Sequence, residues 1–496
     1  MTARETLRVC PSKPRVFILT DIDNEPDDAE SLVRYLLYAN EFDTRGLVAC
    51  TSTHMKSRVA PEEIENIVSG YEQVVDNLNM HTHPSNQYPA AHHLREMIRS
   101  GPAVYGKLAL APDATLSEGS ALLIDRVDES DRPLWVLCWG GTNTLAQAVD
   151  HVQRTRAEAD SAYFRSKLRV YTISDQDDTG AWIRIQFPDI FYICSVHGWC
   201  QYNCAAWTGI SSSPDAGADP SQFTRAWIKE NIQIGPLGLK YPDHKFLVEG
   251  DTPTFLYLVQ NGLGSPEHPH WGSWGGRYSY YDPGMSGKHF ADAVDTVVGI
   301  DGKTYTSNWA TIWRWRAAFQ NDFAARMQWT LSNKFEAANH APVVIVNDST
   351  NGPEPVLLEV EAGEKVVLDA SRSYDPDGDK LSFRWFQYRE PSTAEGLIGE
   401  MIPDIAIVDL DLANPGTKVE LEMPPAEVCG LEQLSGRPVE KGHEYHFVLE
   451  VQDDGTPRMT TYKRVVIQTT NKHLRGARAT AATTTAEWLL IQAAEV

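Results

Sequence analysis

The chain has 496 residues, with 67 Asp and Glu against 44 Lys and Arg, and a formal net charge of -23. This length exceeds what one hydrophobic core usually serves, so we expect two or more domains. Such a negative surface repels nucleic acids and anionic membranes, which excludes both as expected partners. No apolar run reaches the roughly 18 to 20 residues of a membrane span, and the start has no signal-type segment. As written, the protein is therefore expected to be cytoplasmic, or secreted if a leader was removed.

Short apolar runs alternate with helical periodicity from residue 15 to about residue 335. The runs expected to form buried strands are RVFIL, LWVLCW, LRVYTIS, IFYICSV and KFLVEG. Helical patterns follow three of them, as AESLVRYLLYANEF, TNTLAQAVDHV and DTPTFLYLVQNGL. This alternation predicts an α/β domain over residues 1–338, with a doubly wound, mostly parallel sheet and helices on both faces.

Beyond residue 338 the pattern changes to alternating strands separated by Pro, Asp and Gly turns, as in HEYHFVLEVQDDGTPRMTTYKRVVIQT. This pattern predicts an all-β, Ig-like sandwich over residues 339–471, followed by an Ala- and Thr-rich tail over 472–496. Within the sandwich, DPDGDKL brings together Asp375, Asp377 and Asp379. These residues are interpreted either as a second calcium site or as a plain acidic turn.

An acidic cluster stands where the first strand ends and its helix begins. The stretch ILTDIDNEPDDAESL carries aspartates at positions 21, 23, 27 and 28. Helix capping and the helix dipole would need only one or two of them, and four carboxylates repel one another unless a cation is present. Hard oxygen ligands suit Ca²⁺ or Mg²⁺, and a flexible site favours Ca²⁺. Because open α/β sheets bind ligands beyond the carboxyl ends of their strands, Asp251 and Thr142 are expected at the same edge.

The spacing D-x-D-x-x-x-D-D resembles the amino-terminal fingerprint of the nucleoside hydrolases, calcium-dependent N-ribohydrolases with a doubly wound α/β fold. GGTNTLAQA and EGDTPTFLYL are similar to two later motifs of that family. The resemblance implies that Asp23, Asp28, Asp251 and the Thr142 carbonyl bind calcium. It also implies that Asp23 activates the attacking water and that Asp27 binds sugar hydroxyls.

The chain is more similar still to a branch of that superfamily known for cellulose-binding proteins, in which a small β-sandwich follows the nucleoside hydrolase-like domain. DIDNEPDD, SWGGRY and NDFAARMQW carry this resemblance. Gly250 stands where nucleoside hydrolases often have a histidine, and Trp182 and Arg184 fall where they have ribose-binding residues. The sugar and leaving-group contacts therefore differ from those of the ribonucleoside enzymes.

Further candidates for substrate binding are aromatic or basic. Trp182 and Trp274 are interpreted either as sugar-stacking rings or as ordinary core residues. Arg277, in a glycine-containing segment, would hold a carboxylate or hydroxyl of a ligand, or would serve as a paired structural arginine.

Together these patterns predict a calcium-dependent glycoside hydrolase that acts on an N- or O-glycosidic bond, with Asp23 as the base. The residue that protonates the leaving group is left open among Glu25, Asp175 and Glu249. The alternative is a non-catalytic protein that binds cellulose or another plant polysaccharide. The expected partner is a carbohydrate or nucleoside-like small molecule, and a homo-oligomer is left open.

Overall fold

A computed structural model of the chain describes residues 2–212, 215–283, 287–395, 402–432 and 436–472. The chain divides into two compact units. The first comprises residues 2–6, 10–260 and 264–339, and the second comprises 7–9, 261–263 and the described residues from 340 onwards. The predicted tail lies outside the described residues from position 473. Within the described ranges, no helix is both long and apolar enough to cross a membrane.

The first unit is built on an eight-stranded sheet whose spatial order is 3-2-1-4-5-6-8-7 in chain numbering. All neighbouring pairs are parallel except the last, which is antiparallel. A separate antiparallel pair completes the unit. The strands are β1 Arg15–Thr20, β2 Asp43–Ala49, β3 Ile98–Ser100, β4 Leu134–Cys138, β5 Leu168–Thr172, β6 Phe191–Cys194, β7 Tyr278–Tyr281, β8 His289–Asp292, β9 Asp295–Val298 and β10 Thr304–Ser307.

Helices connect the parallel strands and cover the sheet. Strand β1 is buried along its whole length, as a parallel strand with both faces covered requires. The helices are α1 Pro26–Leu37, α2 Pro61–Glu72, α3 Val75–Leu78, α4 Ala91–Glu96, α5 Glu118–Asp128, α6 Asn143–Thr155, α7 Glu158–Ser166, α8 Thr179–Gln186, α9 Arg225–Asn231, α10 Gly235–Gly238, α11 Pro253–Leu256, α12 Ala310–Trp313 and α13 Arg316–Trp329. The predicted doubly wound, mostly parallel α/β fold is confirmed.

One predicted element of this unit is absent. The segment KFLVEG, residues 245–250, is irregular in the structure, and the helix after it is the single short turn α11. Phe246 is 81% exposed, and Glu249 has the left-handed φ of 56°. The Glu249 carboxylate instead joins a buried ion pair with Arg34. The segment thus pairs with no strand of the sheet, and the buried ion pair of Glu249 with Arg34 holds its end in place.

The second unit contains two sheets with a common apolar core. One sheet has four strands in the spatial order β11-β17-β16-β13, and the other has three in the order β12-β15-β14. Every neighbouring pair is antiparallel except β11 with β17. Leu421 of one sheet and Phe447 of the other are both fully buried in that core. The elements are β11 Val356–Glu361, β12 Lys365–Asp369, β13 Ser382–Gln387, β14 Ile407–Asp409, β15 Lys418–Glu422, α14 Ala426–Cys429, β16 Lys441–Gln452 and β17 Thr460–Thr470. The predicted all-β sandwich is confirmed.

Candidate metal centre

A polar pocket lies beyond the carboxyl ends of the central strands of the first unit. The chain runs outward from β1 in one direction and from β4 in the other, so the crevice between these strands is the switch point of the sheet. Asp21 follows β1 directly and is buried. A Cβ on Gly140, after β4, would lie 2.6 Å from Asp21 Oδ1, so glycine permits this close approach. The pocket is lined by Asp21, Asn24, Glu25, Asp27, Asp28, His54, Trp139, Ile173, Gln176, Tyr202, Trp207 and Asp251.

The start of helix α1 supplies two carboxylates to this pocket. Glu25 is the N-cap residue but its side chain makes no capping hydrogen bond, and Pro26 occupies the first turn. Asp27 and Asp28 follow in that turn, where the helix dipole favours negative charge. Asp28 is buried and accepts a hydrogen bond from the Thr20 hydroxyl. Since no side chain caps the helix here, capping does not explain the acidic residues.

The third carboxylate comes from far along the chain. Asp251 is buried, and its backbone carbonyl accepts hydrogen bonds from the amide and the hydroxyl of Thr254, at 3.1 and 2.8 Å. Trp139, after β4, donates its indole N–H to the same Thr254 hydroxyl at 2.8 Å. On the other side, Thr252 bonds Ser31 of α1 at 3.1 Å. The segment that carries Asp251 is thus attached to both β4 and α1.

Carboxylate oxygens of Asp27, Asp28 and Asp251 all lie within 4.8 Å of one another. Three buried oxygens at this site, Asp21 Oδ2, Asp27 Oδ1 and Asp251 Oδ2, have no hydrogen-bond partner. Such buried charges are costly unless a proton or a cation neutralises them. We refer to Asp27, Asp28 and Asp251 as the buried acidic cluster.

The pKa values of Asp21 and of the buried acidic cluster are raised, as expected for buried acids that lie close together. Burial raises the pKa of Asp21 to about 6 and, together with the charges of Glu25 and Asp21, raises that of Asp27 to about 7. Burial, followed by the neighbouring carboxylates, raises the pKa values of Asp28 and Asp251 well above their usual range. In the absence of a cation these groups therefore favour protonation.

Two residues that the motifs assign to the metal lie outside this cluster. Asp23 has a φ of 78°, and its half-exposed carboxylate forms an ion pair with Arg58 at 2.7 Å. Thr142 is the N-cap residue of α6, where its carbonyl accepts the Ala146 amide at 2.9 Å. Neither residue lines the pocket. The structure thus brings Asp28 and Asp251 together with Asp27, whereas Asp23 and Thr142 are not among the residues that line the pocket.

The two candidates on α8 do not reach the pocket either. Arg184 forms a two-pronged ion pair with Asp175, at 2.9 and 2.7 Å, and is buried. The partly buried Trp182 packs edge-to-face on Phe187 and against the apolar core under the sheet. Both side chains are thus held by structural contacts, Arg184 by Asp175 and Trp182 by Phe187.

The remaining two candidates lie in the core of the unit. Trp274 is 1% exposed and contacts Phe319 edge-to-face, so it presents no face to a sugar. The buried Arg277 donates to Asp295 at 2.7 Å, and Arg314 contacts the other oxygen of that carboxylate. Of the alternatives stated for these residues, the structure shows the core tryptophan and the paired arginine. Asp27 is the predicted sugar-binding residue that does line the pocket.

Sequence reasoning missed several residues that line the pocket. His54 follows β2, Gln176 follows β5, and Tyr202 and Trp207 follow β6. The available signal was positional, because polar and aromatic residues a few positions after a parallel strand lie at the ligand-binding edge. No short motif marks them.

The fold and the pocket at its switch point define a nucleoside hydrolase-like protein with an added β-sandwich. The family model described as the nucleoside hydrolase-like domain of cellulose-binding Sde182 matches residues 15–278. That of the C-terminal domain of cellulose-binding protein Sde0182 matches residues 365–469. The chain belongs to this family, as the resemblance predicted.

One similar solved structure agrees with this assignment. A nucleoside hydrolase-related hypothetical protein from Saccharophagus degradans, described as associated with carbohydrate metabolism, is 32% identical, with a TM-score of 0.75 over 92% of this chain and 100% of its own. The inosine-uridine preferring nucleoside hydrolase of Bacillus anthracis is 11% identical, with a TM-score of 0.31 over 64% of this chain and 100% of its own, which supports no argument about activity. A search of curated proteins gave no match.

Proposed function

We propose that the protein hydrolyses a glycosidic bond of a carbohydrate or nucleoside-like substrate, and that a calcium ion bound at the buried acidic cluster is required. The observation that carries the proposal is the set of buried carboxylate oxygens without hydrogen-bond partners, contributed by two distant segments at the switch point of the sheet. Without a cation, these carboxyl groups could stay buried only by holding protons near neutral pH, whereas a bound cation would let them ionise.

The residues present fit a calcium ion. Asp27, Asp28 and Asp251 supply only hard oxygen donors, and no nitrogen or sulfur ligand is in the group. Calcium accepts six to eight such oxygens in flexible geometry. When bound, it would supply positive charge that orders a water molecule and sugar hydroxyls and stabilises the charge that develops during cleavage.

In this proposal Asp28 and Asp251 hold the ion, the Thr142 carbonyl is a further ligand, and Asp27 contacts the sugar hydroxyls as well as the ion. Asp23 takes the proton of the attacking water and first has to separate from Arg58. That separation costs little, because 48% of the Asp23 side chain and 54% of the Arg58 side chain are exposed. Exposed ion pairs of this kind contribute about 0 to 1 kcal/mol.

The second candidate function is non-catalytic binding of cellulose or another plant polysaccharide. The cellulose-binding description of the family favours it. The separation of Asp23 from the buried acidic cluster favours it as well, because binding needs no base.

Metal analysis and a hydrolysis screen test the proposal. We expect about one calcium per chain, and a chelator-sensitive turnover in a panel of nucleosides and plant-derived glycosides. Asp251→Asn should abolish both. The control Asp377→Asn, in the second unit, should change neither, because that carboxylate accepts the backbone amide of His340 at 2.7 Å and lies outside the pocket. Calcium without turnover would support the binding protein, and a metal-free protein would contradict the site itself.

Asp23→Ala separates the two functions further. If the protein is an enzyme, this variant keeps its calcium and loses turnover. A binding protein would keep its affinity for cello-oligosaccharides in the same variant.

A further inference from the structure

Two of the three residues that the sequence offered as proton donors to the leaving group, Asp175 and Glu249, are held in other contacts. Asp175 is held in the two-pronged pair with Arg184, and Glu249 is bonded by Arg34 at 2.7 Å and by Tyr241 at 2.8 Å. Neither lines the pocket. Glu25 does line it, but there it adds negative charge beside Asp27 and the other carboxylates.

The position before Asp251 also has no room for a proton donor. A Cβ on Gly250 would lie 2.8 Å from Asp27 Oδ2 and 3.1 Å from Cζ3 of Trp207. Trp207 therefore forms this wall of the pocket, and its indole N–H is bonded to the Ser174 hydroxyl at 3.1 Å. Any side chain at position 250 would displace Asp27 or Trp207.

The pocket has one pair of side chains that could relay a proton. His54, in the loop after β2, and Tyr202, in the loop after β6, both line the pocket, and His54 Nε2 lies 3.0 Å from the Tyr202 hydroxyl. The Tyr202 ring packs between His197, at 5.1 Å, and Trp207, at 6.0 Å. Two loops that are distant in sequence thus meet beside the buried acidic cluster.

We propose that Tyr202 and His54 are catalytic residues that together protonate the leaving group. The inference rests on the proposed hydrolysis. The Tyr202 hydroxyl gives its proton to the leaving oxygen or nitrogen as the bond to the sugar breaks, and a proton passes from His54 Nε2 to the Tyr202 oxygen. Water adds to the sugar carbon and loses a proton to Asp23. Asp23 then releases that proton to solvent, and His54 takes up one proton from solvent, so that both residues return to their starting state.

The surroundings suit these roles. Burial, followed by the nearby Cys200 and carboxylates, raises the pKa of Tyr202 to about 12, so the phenol keeps its proton until the leaving group takes it. His54 is exposed and can exchange protons with solvent. The His197 ring is itself fixed, since Nε2 accepts from Ser174 at 2.7 Å while Nδ1 donates to the Gly198 carbonyl at 2.8 Å. The Tyr202 ring therefore packs against a fixed neighbour.

Leaving-group dependence tests the inference. Paired 4-nitrophenyl and methyl β-glycosides of ribofuranose, xylose, glucose and cellobiose share a sugar and differ in whether departure needs a proton. Tyr202→Phe and His54→Gln should lower kcat/KM for the methyl glycoside by about 10²- to 10⁴-fold, the usual contribution of a general acid. The matching 4-nitrophenyl glycoside should lose less than about tenfold.

Tyr163→Phe and His151→Gln, exposed residues far from the pocket, are the controls and should leave both rates unchanged. Equal losses on the two leaving groups would overturn the inference, because a merely structural role affects both alike. A selective loss in Glu25→Gln instead would assign the proton to Glu25. If the wild-type protein cleaves neither a glycoside of this panel nor a nucleoside of the hydrolysis screen, the proposed hydrolysis fails, and the inference fails with it.

Discussion

The described residues contain two groups of three aspartates with closely spaced carboxylate oxygens, and the two groups differ in their surroundings. In the first unit, Asp27, Asp28 and Asp251 are contributed by two segments and lie in a pocket. In the second unit, Asp375, Asp377 and Asp379 belong to a single turn. Each group has its oxygens within 4.8 Å. Proximity alone therefore does not distinguish them.

What distinguishes the two groups is where their oxygens find hydrogen bonds. Asp375 accepts the backbone amides of Asp377 and Asp379, at 2.8 and 3.1 Å, and Asp377 accepts from the His340 amide at 2.7 Å. One oxygen of Asp375 has no partner, but Asp377 is exposed to water. The turn uses most of its carboxylate oxygens to organise its own backbone and leaves one of them without a partner, whereas Asp27 and Asp251 each have an unpartnered oxygen in a pocket where a cation could bind.

The largest expected effect comes from removing the support of the buried acidic cluster. Glu249→Ala leaves the guanidinium of Arg34 buried without its carboxylate, which should lower the free energy of unfolding by about 3 to 5 kcal/mol. Urea unfolding of the full chain measures this loss.

Glu30→Gln is the matched control for that variant. Glu30 is equally buried, and burial raises its pKa to about 9, so it is neutral near pH 7 and an isosteric amide should change stability little. An equal loss in both variants would show that the buried ion pair is not the cause.

The second largest effect is expected in calcium affinity, which should depend on the buried acidic cluster and not on the turn of the second unit. Asp28→Asn is expected to lower calcium affinity by at least about 100-fold, because even residues behind the ligands of a metal site typically contribute 10- to 100-fold. Asp379→Asn should leave that affinity unchanged. Calorimetric titration with calcium measures both, and the opposite ranking would place the ion in the turn.

The pH dependence of stability should reveal the buried acidic cluster without any metal. The folded protein binds protons at Asp21, with a pKa of about 6, and at Asp27, with a pKa of about 7, while the unfolded chain releases them near 3.8. In a chelator, the free energy of unfolding should therefore fall by about 2 kcal/mol as the pH rises from 5.5 to 7. Excess calcium should remove this fall, because the ion stabilises the ionised carboxylates. Urea unfolding at several pH values measures it, and a flat profile in chelator would contradict the raised pKa values.

The smallest effect is expected in the turn itself. Asp375→Ala removes two hydrogen bonds to backbone amides and should lower the free energy of unfolding by about 1 kcal/mol. Calorimetric unfolding measures this change, and metal analysis should show the same calcium content as the wild type. A lower calcium content in Asp375→Ala would show that the turn of the second unit binds calcium as well.

Much of the fold could be predicted from the sequence because its signals are local. The apolar run of β1 and the helical spacing of α1 follow from residues a few positions apart, and both elements form. The strand predicted over KFLVEG does not form, because the Glu249 side chain pairs with Arg34, 215 residues earlier. No local pattern contains that contact.

The candidate site divides in the same way. Motif position brought Asp27, Asp28 and Asp251 to one edge of the sheet, where the structure places them. The aromatic residues and the glycine-containing segment left sugar binding open for Trp274 and Arg277, which pack in the core, and no pattern pointed to His54 and Tyr202. Spacing along the chain indicates which residues follow a strand, but not which way their side chains turn.

By itself, the sequence determined the family, the two kinds of domain and the acidic character of the loop after β1, because each is expressed in residue type and short-range spacing. Only the tertiary structure decided which carboxylates lie together and which aromatic rings line the pocket. It also decided that Trp207 occupies the space that a side chain at position 250 would need. Those outcomes depend on contacts between loops that are far apart in the chain, where desolvation and the supply of hydrogen bonds set the energy.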